Sequence, residues 1–256
     1  MKFGKELLRA VAASEAVVSA DKWLDYKVLK KMLKKMPPTS QTDSTVPDAQ
    51  KIINSENERA FFRALSNELR KVELRFAELK AKSLELAEEF SDPNVVETPM
   101  QPSELQERLS RCASAHLFVL LVENYAVLNY CGFTKILKKH DKLRSTQTKF
   151  KFMAKMVNDR NFAKFDDVRA ALVKLESTFA TLNKLAADEK NASNGSPGTT
   201  ARASVTAQLD AQRRELSDMH RHGMDPLKFL AYTAEEHENS SDDTDEHVQK
   251  RVRRAA

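Results

Sequence analysis

Glycine is scarce in this sequence, with five residues in 256. The five lie at positions 4, 132, 195, 198 and 223, too scattered to form a dinucleotide-binding fingerprint or a phosphate-cradling loop. So few glycines also leave few tight turns for a β-sheet. The scarcity therefore favours an all-α fold and argues against nucleotide-dependent chemistry of these common types.

Cysteine and long apolar runs are scarce as well. Cys112 and Cys131 lie nineteen residues apart without a CxxC pattern, which argues against a disulfide framework or a cysteine zinc site. The longest apolar stretch, residues 117–128, contains Glu123 and is shorter than the roughly 20 residues that cross a bilayer. We therefore expect no transmembrane segment and a cytoplasmic and/or nuclear location.

Positive charge is concentrated in two segments, although the net charge is only +5. Residues 22–35 and 135–155 hold 14 of the 42 basic side chains and 2 of the 37 acidic ones, a net charge of +12. The rest of the chain therefore carries −7. Such segregation indicates an anionic partner.

The apolar periodicity predicts helices throughout the first 185 residues. Residues 3–18 and 21–36 are predicted to form two short helices, and residues 55–90 a long amphipathic helix. A second long helix is predicted from Ser103, as N-cap with Gln106 in a capping box, to Lys142. Two long helices joined by a short connector should pack antiparallel.

Shorter helices are predicted at residues 146–157 and 165–185. The low-complexity composition that follows indicates that residues 186–256 form a flexible, mostly disordered C-terminal extension. We therefore predict one folded domain, residues 1–185, followed by this extension.

The segment "NYCGFTKILKKHDK", residues 129–142, contains four lysines and one acidic residue. At about 100° per residue, Phe133, Ile136, Leu137 and His140 share one side of the helix. The opposite, solvent-accessible side carries Lys135, Lys138, Lys139 and Lys142. One interpretation is that these lysines form an ordinary polar outer face. Against it, like charges at i, i+4 destabilise a helix, and no Glu lies among these lysines to form a stabilising pair.

Two further features bear on this face. Gly132 costs about 1 kcal/mol relative to Ala in a helix, which predicts either close packing or a slight bend there. Tyr26 and Lys30 lie at i and i+4 on the edge of the apolar stripe of the second helix, so they face a groove beside a neighbouring helix. Phosphate groups suit such lysines, and micromolar affinity of about 8 kcal/mol requires one polyvalent anion with several contacts.

Three motifs together resemble those of the SPX domain: "MKFGK" at 1–5, "WLDYKVLKK" at 23–31 and "LNYCGFTKILKKHDK" at 128–142. The resemblance extends over roughly residues 1–185. It implies an all-helical fold with an N-terminal hairpin, two long helices and short C-terminal helices.

The same resemblance implies a non-catalytic receptor for inositol polyphosphates or inositol pyrophosphates in phosphate homeostasis. It assigns Tyr26, Lys30 and Lys139 to a phosphate-binding cluster. It also implies an adjoining lysine surface, formed by Lys135, Lys138 and Lys142. Lys2 is the one additional contact that it implies. A protein partner such as a transcription factor of the phosphate response is expected, and no cofactor or metal.

Two other functions remain open from the sequence. The protein could be a basic adaptor that binds nucleic acid or an anionic membrane. Of the two kinds of partner, we expect the inositol polyphosphate ligand rather than direct binding of nucleic acid. "KRVRR" at 250–254 could serve as a nuclear address. An enzyme is the weakest alternative, because His220 and His222 resemble only half of a metal site and no nucleophile–base pair is evident.

Overall fold

A computed structural model describes residues 3–36, 55–90 and 101–192, with side chains up to Asp188. Helices α1 and α2 span Phe3–Ala13 and Tyr26–Lys35, and the two long helices α3 and α4 span Glu56–Glu89 and Pro102–Arg144. Helix α5, Thr148–Phe152, continues as a π-helical turn to Val157, and α6 spans Asp166–Ala192. No β-strand occurs in these ranges, which confirms the predicted all-α fold.

The long helices α3 and α4 pack antiparallel, as predicted. Near one end, Glu58 of α3 contacts His140 of α4. Near the other end, Glu89 of α3 pairs with Arg111 of α4. Helix α4 also packs against α2 and extensively against α6, so it is the central helix of the fold.

The middle of α4 is buried on every side of the helix. Tyr125, Ala126, Leu128 and Phe133 are all fully buried although they point in different directions. By length and composition α4 could cross a membrane, contrary to the expectation from the 117–128 stretch, but 72% of its most apolar window is buried inside the protein. Contacts with α3 and α6 therefore account for its apolar composition.

Several predicted helix ends differ from the observed ones. The first helix ends at Ala13 rather than residue 18, and a short 3-10 turn, Ala20–Lys22, precedes α2. The predicted Ser103 N-cap is wrong, because α4 begins at Pro102, whose fixed φ suits the first helical position. Helix α6 continues to Ala192, seven residues past the predicted domain boundary. That boundary stays a prediction, since residues 193–256 lie outside the described part.

Candidate functional site

The segment between α1 and α2 is anchored along α4. Tyr125 Oη donates a hydrogen bond to the carbonyl of Lys22 at 2.9 Å, and the Trp23 ring packs edge-on against Tyr125 at 4.8 Å. Four residues further along α4, Asn129 Oδ1 accepts the backbone N–H of Leu24 at 2.9 Å. The segment thus follows α4 toward its carboxyl end, where the lysines lie.

Gly132 allows close packing at the next turn of α4, one of the two predicted alternatives. A Cβ at this position would overlap Leu24 Cδ2 and would lie 3.6 Å from Cζ of Phe3. The Phe3 ring in turn packs edge-on against Tyr26, with 5.1 Å between ring centroids. Phe3 of α1 and Leu24, in the segment that leads into α2, therefore both meet α4 at one glycine.

The α4 face that touches the hairpin continues directly into lysines. Lys139 follows Gly132 by seven residues and lies about 20° from it around the helix, roughly 10.5 Å further along the axis. Lys135, three residues after Gly132, lies about 60° away. Lys135, Lys138 and Lys139 are half-buried, and Lys142 is exposed. The face is therefore less open to solvent than the sequence indicated.

The hairpin supplies the other predicted residues from across this junction. Tyr26 and Lys30 are both half-buried at the start and middle of α2, which packs against α3 and α4. Asp25 holds the start of α2, because its carboxylate accepts the backbone N–H of Val28 at 2.9 Å. Lys2, the remaining predicted residue, lies outside the described residues.

Glu6 of α1 also lies near the place where the hairpin meets α4, and no sequence pattern pointed to it. Burial raises the pKa of the Cys131 thiol to about 12, while Lys135 opposes and Glu6 reinforces this shift. Glu6 and Lys135 therefore both lie close enough to Cys131 to act on it electrostatically. The high pKa keeps Cys131 a neutral thiol, so Cys131 adds no negative charge beside Lys135.

A buried ionic cluster lies beneath the lysine helix. His140 is fully buried, and its Nε2 lies 2.7 Å from Oε2 of Glu58, which is 3% exposed. Arg144 Nε donates to the other oxygen of Glu58 at 2.5 Å. Phe61 stacks on the His140 ring at 5.2 Å. The sequence placed His140 on the apolar side but gave no signal for Glu58, which is 82 residues away.

Asp141, the one acidic residue among the four lysines, is engaged in fixing α5. Its carboxylate accepts the backbone N–H groups of Thr148 at 3.0 Å and Lys149 at 2.9 Å, and the hydroxyls of Thr146 and Thr148 at 2.9 and 2.6 Å. These contacts hold the end of α4 against the chain that follows. From the sequence, Asp141 was known only as the one acidic residue among these lysines.

The ionisable groups of this cluster shift one another's pKa values in opposite directions. Burial lowers the pKa of His140, but hydrogen bonds with Asp141 and Glu58 outweigh burial and raise it. Burial raises the pKa of Asp141, but His140, Thr148 and the Lys149 N–H bring it down to about 2. Burial also raises the pKa of Glu58, whereas His140 and Arg144 lower it overall. The arrangement therefore favours a protonated His140 between two ionised carboxylates.

Replacing Gly132 with Leu tests the hairpin junction. We expect the larger side chain to displace Leu24 and to lower the unfolding free energy by about 1–3 kcal/mol, as overpacking does. Adding Leu24→Ala should offset part of this loss, so that the double variant is more stable than the sum of the two single changes predicts. Urea unfolding of the four proteins measures the coupling, and strict additivity would contradict the contact.

The described residues offer no group of three or more His, Cys, Asp or Glu side chains that could hold a metal ion. His220 and His222 lie outside the described residues. Where the hairpin meets α4, the predicted site residues offer ammonium groups and a tyrosine hydroxyl, which bind anions.

Comparisons with known proteins point to one family. The family model of the SPX domain matches residues 106–156. SPX domain-containing protein 2 of Arabidopsis thaliana is 31% identical over 173 residues, which are 63% of this chain and 59% of that protein. The chain thus matches about three fifths of the length of that relative.

Two further similarities extend beyond plants. The phosphate system positive regulatory protein PHO81 of Saccharomyces cerevisiae is 30% identical over 175 residues, 62% of this chain and 15% of that protein. The solved SPX domain of Chaetomium thermophilum glycerophosphodiester phosphodiesterase 1, in complex with inositol hexakisphosphate, is 23% identical with a TM-score of 0.57. It covers 72% of this chain and 99% of that one, and this likeness shows the fold.

Proposed function

Because the chain contains an SPX domain, we propose that it is a non-catalytic sensor of inositol polyphosphates or inositol pyrophosphates. The ligand binds where the N-terminal hairpin meets the lysine face of α4. Binding there reports phosphate status to a protein partner.

The observation that carries this proposal is the convergence of two chain segments at Gly132. The residues assigned to the phosphate-binding cluster come from α2 and from α4, more than 100 positions apart. Leu24, Phe3 and Tyr26 connect the two segments through the contact at Gly132. Lys135 and Lys139 continue the same α4 face, so one ligand can reach groups from both helices.

Energetics favour a polyvalent ligand over orthophosphate. An exposed Lys–phosphate contact at 4 Å gains only about 1 kcal/mol in water. Micromolar affinity needs about 8 kcal/mol, so several lysines must contact one anion. Half-burial of Lys135, Lys138 and Lys139 strengthens each contact, because a lower effective dielectric screens charge less. Inositol phosphates carry enough phosphate groups on one small ring to meet this requirement.

The signal to the protein partner depends on the charge of the lysines. A bound polyanion neutralises the lysines of α4 and ties them to α2, whereas its loss restores repulsion between the two helices. The hairpin surface that a partner contacts therefore depends on the ligand. A transcription factor of the phosphate response is the partner we propose, in the cytoplasm and/or the nucleus, and the similarity to a yeast regulatory protein of the phosphate system supports this role.

Calorimetric titration of the full chain tests the proposal. The ligands are inositol hexakisphosphate, an inositol pyrophosphate, orthophosphate and a DNA duplex, each at two salt concentrations. We expect micromolar or tighter binding of both inositol ligands and negligible binding of orthophosphate.

The DNA duplex separates the sensor from a basic adaptor. Binding to a phosphate backbone is steeply salt-dependent and does not depend on the stereochemistry of a small ligand. Equal affinity for DNA and inositol hexakisphosphate at the higher salt concentration would favour the adaptor and overturn the proposed function.

A further inference from the structure

The outward face of α3 carries apolar side chains that no described element covers. Leu74 is 61% exposed and Leu84 is 38% exposed. Ala77 and Ala81 lie between them and are also exposed. The opposite face of α3 already supplies the core through residues such as Phe61 and Phe76. Helix α3 therefore has a second, smaller apolar face.

Spacing places this face on one continuous stripe. Positions 70, 74, 77, 81, 84 and 88 are separated by four and three residues in alternation, the a and d spacing of a coiled coil. Every one of these six residues is exposed. We name them the outer stripe: Arg70, Leu74, Ala77, Ala81, Leu84 and Glu88. Over 18 residues it extends about 27 Å along the helix.

The outer stripe is symmetric about position 79. Ala77 and Ala81 lie two residues from it on either side, and Leu74 and Leu84 lie five residues from it. The ends, nine residues from the centre, are Arg70 and Glu88, which carry opposite charges. Within residues 3–36, 55–90 and 101–192, neither Arg70 nor Glu88 forms an ion pair.

We propose that α3 pairs antiparallel with α3 of a second copy of this chain, about a two-fold axis at position 79. In this register Leu74 meets Leu84 of the other copy, and Ala77 meets Ala81. Arg70 meets Glu88 at both ends. Antiparallel pairing places an a position opposite a d position, which the outer stripe satisfies at every layer. A two-fold interface requires a self-complementary surface, and this surface is self-complementary in both shape and charge.

A second copy fits this face better than an unrelated partner does. A partner helix must bring leucines at the same spacing and an acidic and a basic end in reversed order. The chain itself provides that pattern. Neighbouring acidic residues do not oppose the approach strongly, because Glu78 is paired with Arg75 and Glu85 with Lys82 on the same helix.

The dimer leaves the lysine face free. In the antiparallel packing of α3 and α4, Glu58 lies level with His140 and Glu89 level with Arg111. Residues 70–88 therefore lie alongside the amino-terminal and central turns of α4, away from Lys139 and Lys142. Dimer formation and ligand binding are thus independent properties of two surfaces.

The expected dimer is weak, because one helix pair buries less than the roughly 1,200 Å² that marks the lower limit of standard interfaces. Sedimentation velocity of the full chain from about 5 to 500 µM measures it. We expect the sedimentation coefficient to rise with concentration. Leu74→Lys/Leu84→Lys should remain monomeric, whereas Val173→Lys, a matched change at a 63% exposed site on α6, should behave as wild type.

Charge reversal tests the register. Arg70→Glu alone and Glu88→Arg alone should each weaken association about three- to tenfold. An equimolar mixture of the two should recover it, because both ends of the mixed dimer then carry opposite charges. Circular dichroism verifies that each variant is folded. A wild-type chain that stays monomeric at 500 µM, equal disruption by Val173→Lys, or no recovery in the mixture would overturn the proposal.

Discussion

Glu58→Gln lowers the unfolding free energy of this protein by about 3–5 kcal/mol, the usual result of removing one partner from a buried ion pair. Glu58 is 3% exposed and joins His140 and Arg144 of α4 to the first turn of α3. Without the carboxylate, His140 keeps its buried position but loses the charge opposite Nε2. Chemical unfolding monitored by circular dichroism at pH 6 measures the loss.

A matched control is available on the surface of the same helix. Glu85 forms an exposed pair with Lys82, so Glu85→Gln should change stability by no more than about 1 kcal/mol. Comparable losses in Glu58→Gln and Glu85→Gln would contradict a structural role for the buried cluster.

The pH dependence of stability tests the same cluster through His140. Its pKa is raised in the folded state, so its contribution is complete below the unfolded value of about 6.5 and is lost as the pH rises through the folded value. The pKa of Asp141 is lowered to about 2, so that contribution is present above about pH 4 and is lost toward pH 2. We therefore expect maximal support from this cluster between roughly pH 4.5 and 6.5.

Comparison with His140→Gln isolates the histidine from other titrating groups. Gln keeps a donor for Glu58 but has no charge to lose. Unfolding free energies at half-unit steps from pH 5 to 9 should fall above pH 6.5 in the wild type and stay flatter in His140→Gln. Parallel profiles would exclude His140 as the origin of the pH dependence.

Lys139→Ala reduces the affinity for inositol hexakisphosphate about tenfold or more. A hydrogen bond to a charged group contributes about 1.5–3 kcal/mol, and each 1.4 kcal/mol is a factor of ten. Tyr26→Phe/Lys30→Ala removes the contacts from the opposite helix and should weaken binding by a similar or larger factor. Calorimetric titration at one fixed salt concentration measures both variants.

Two lysines serve as matched controls for this loss. Lys34 is exposed near the end of α2, and Lys174 is exposed on α6. Replacing either with Ala changes the net charge as Lys139→Ala does, so only a nonspecific electrostatic effect would weaken binding equally. Wild-type affinity in Lys139→Ala, with an unchanged fold, would remove α4 from the proposed site.

Local patterns in the sequence are sufficient to predict the helices. The spacing of apolar residues from Phe61 to Phe90 placed α3 at residues 55–90, within one residue of its observed ends, because that spacing depends only on helical geometry. Other helix boundaries were harder: α1 ends at Ala13 rather than residue 18, and α6 continues to Ala192 rather than residue 185. Pro102 begins α4 in place of the predicted Ser103 cap because its φ already has a helical value.

The sequence by itself determined an all-α chain with two long helices and a lysine-rich helix face, because helical periodicity and charge are properties of neighbouring residues. Only the tertiary structure decided what those lysines adjoin. Leu24 reaches Gly132 across 108 positions, and Glu58 reaches His140 across 82. No local pattern specifies such pairs, since they depend on how whole helices pack. The half-burial of Lys139 is likewise a result of that packing.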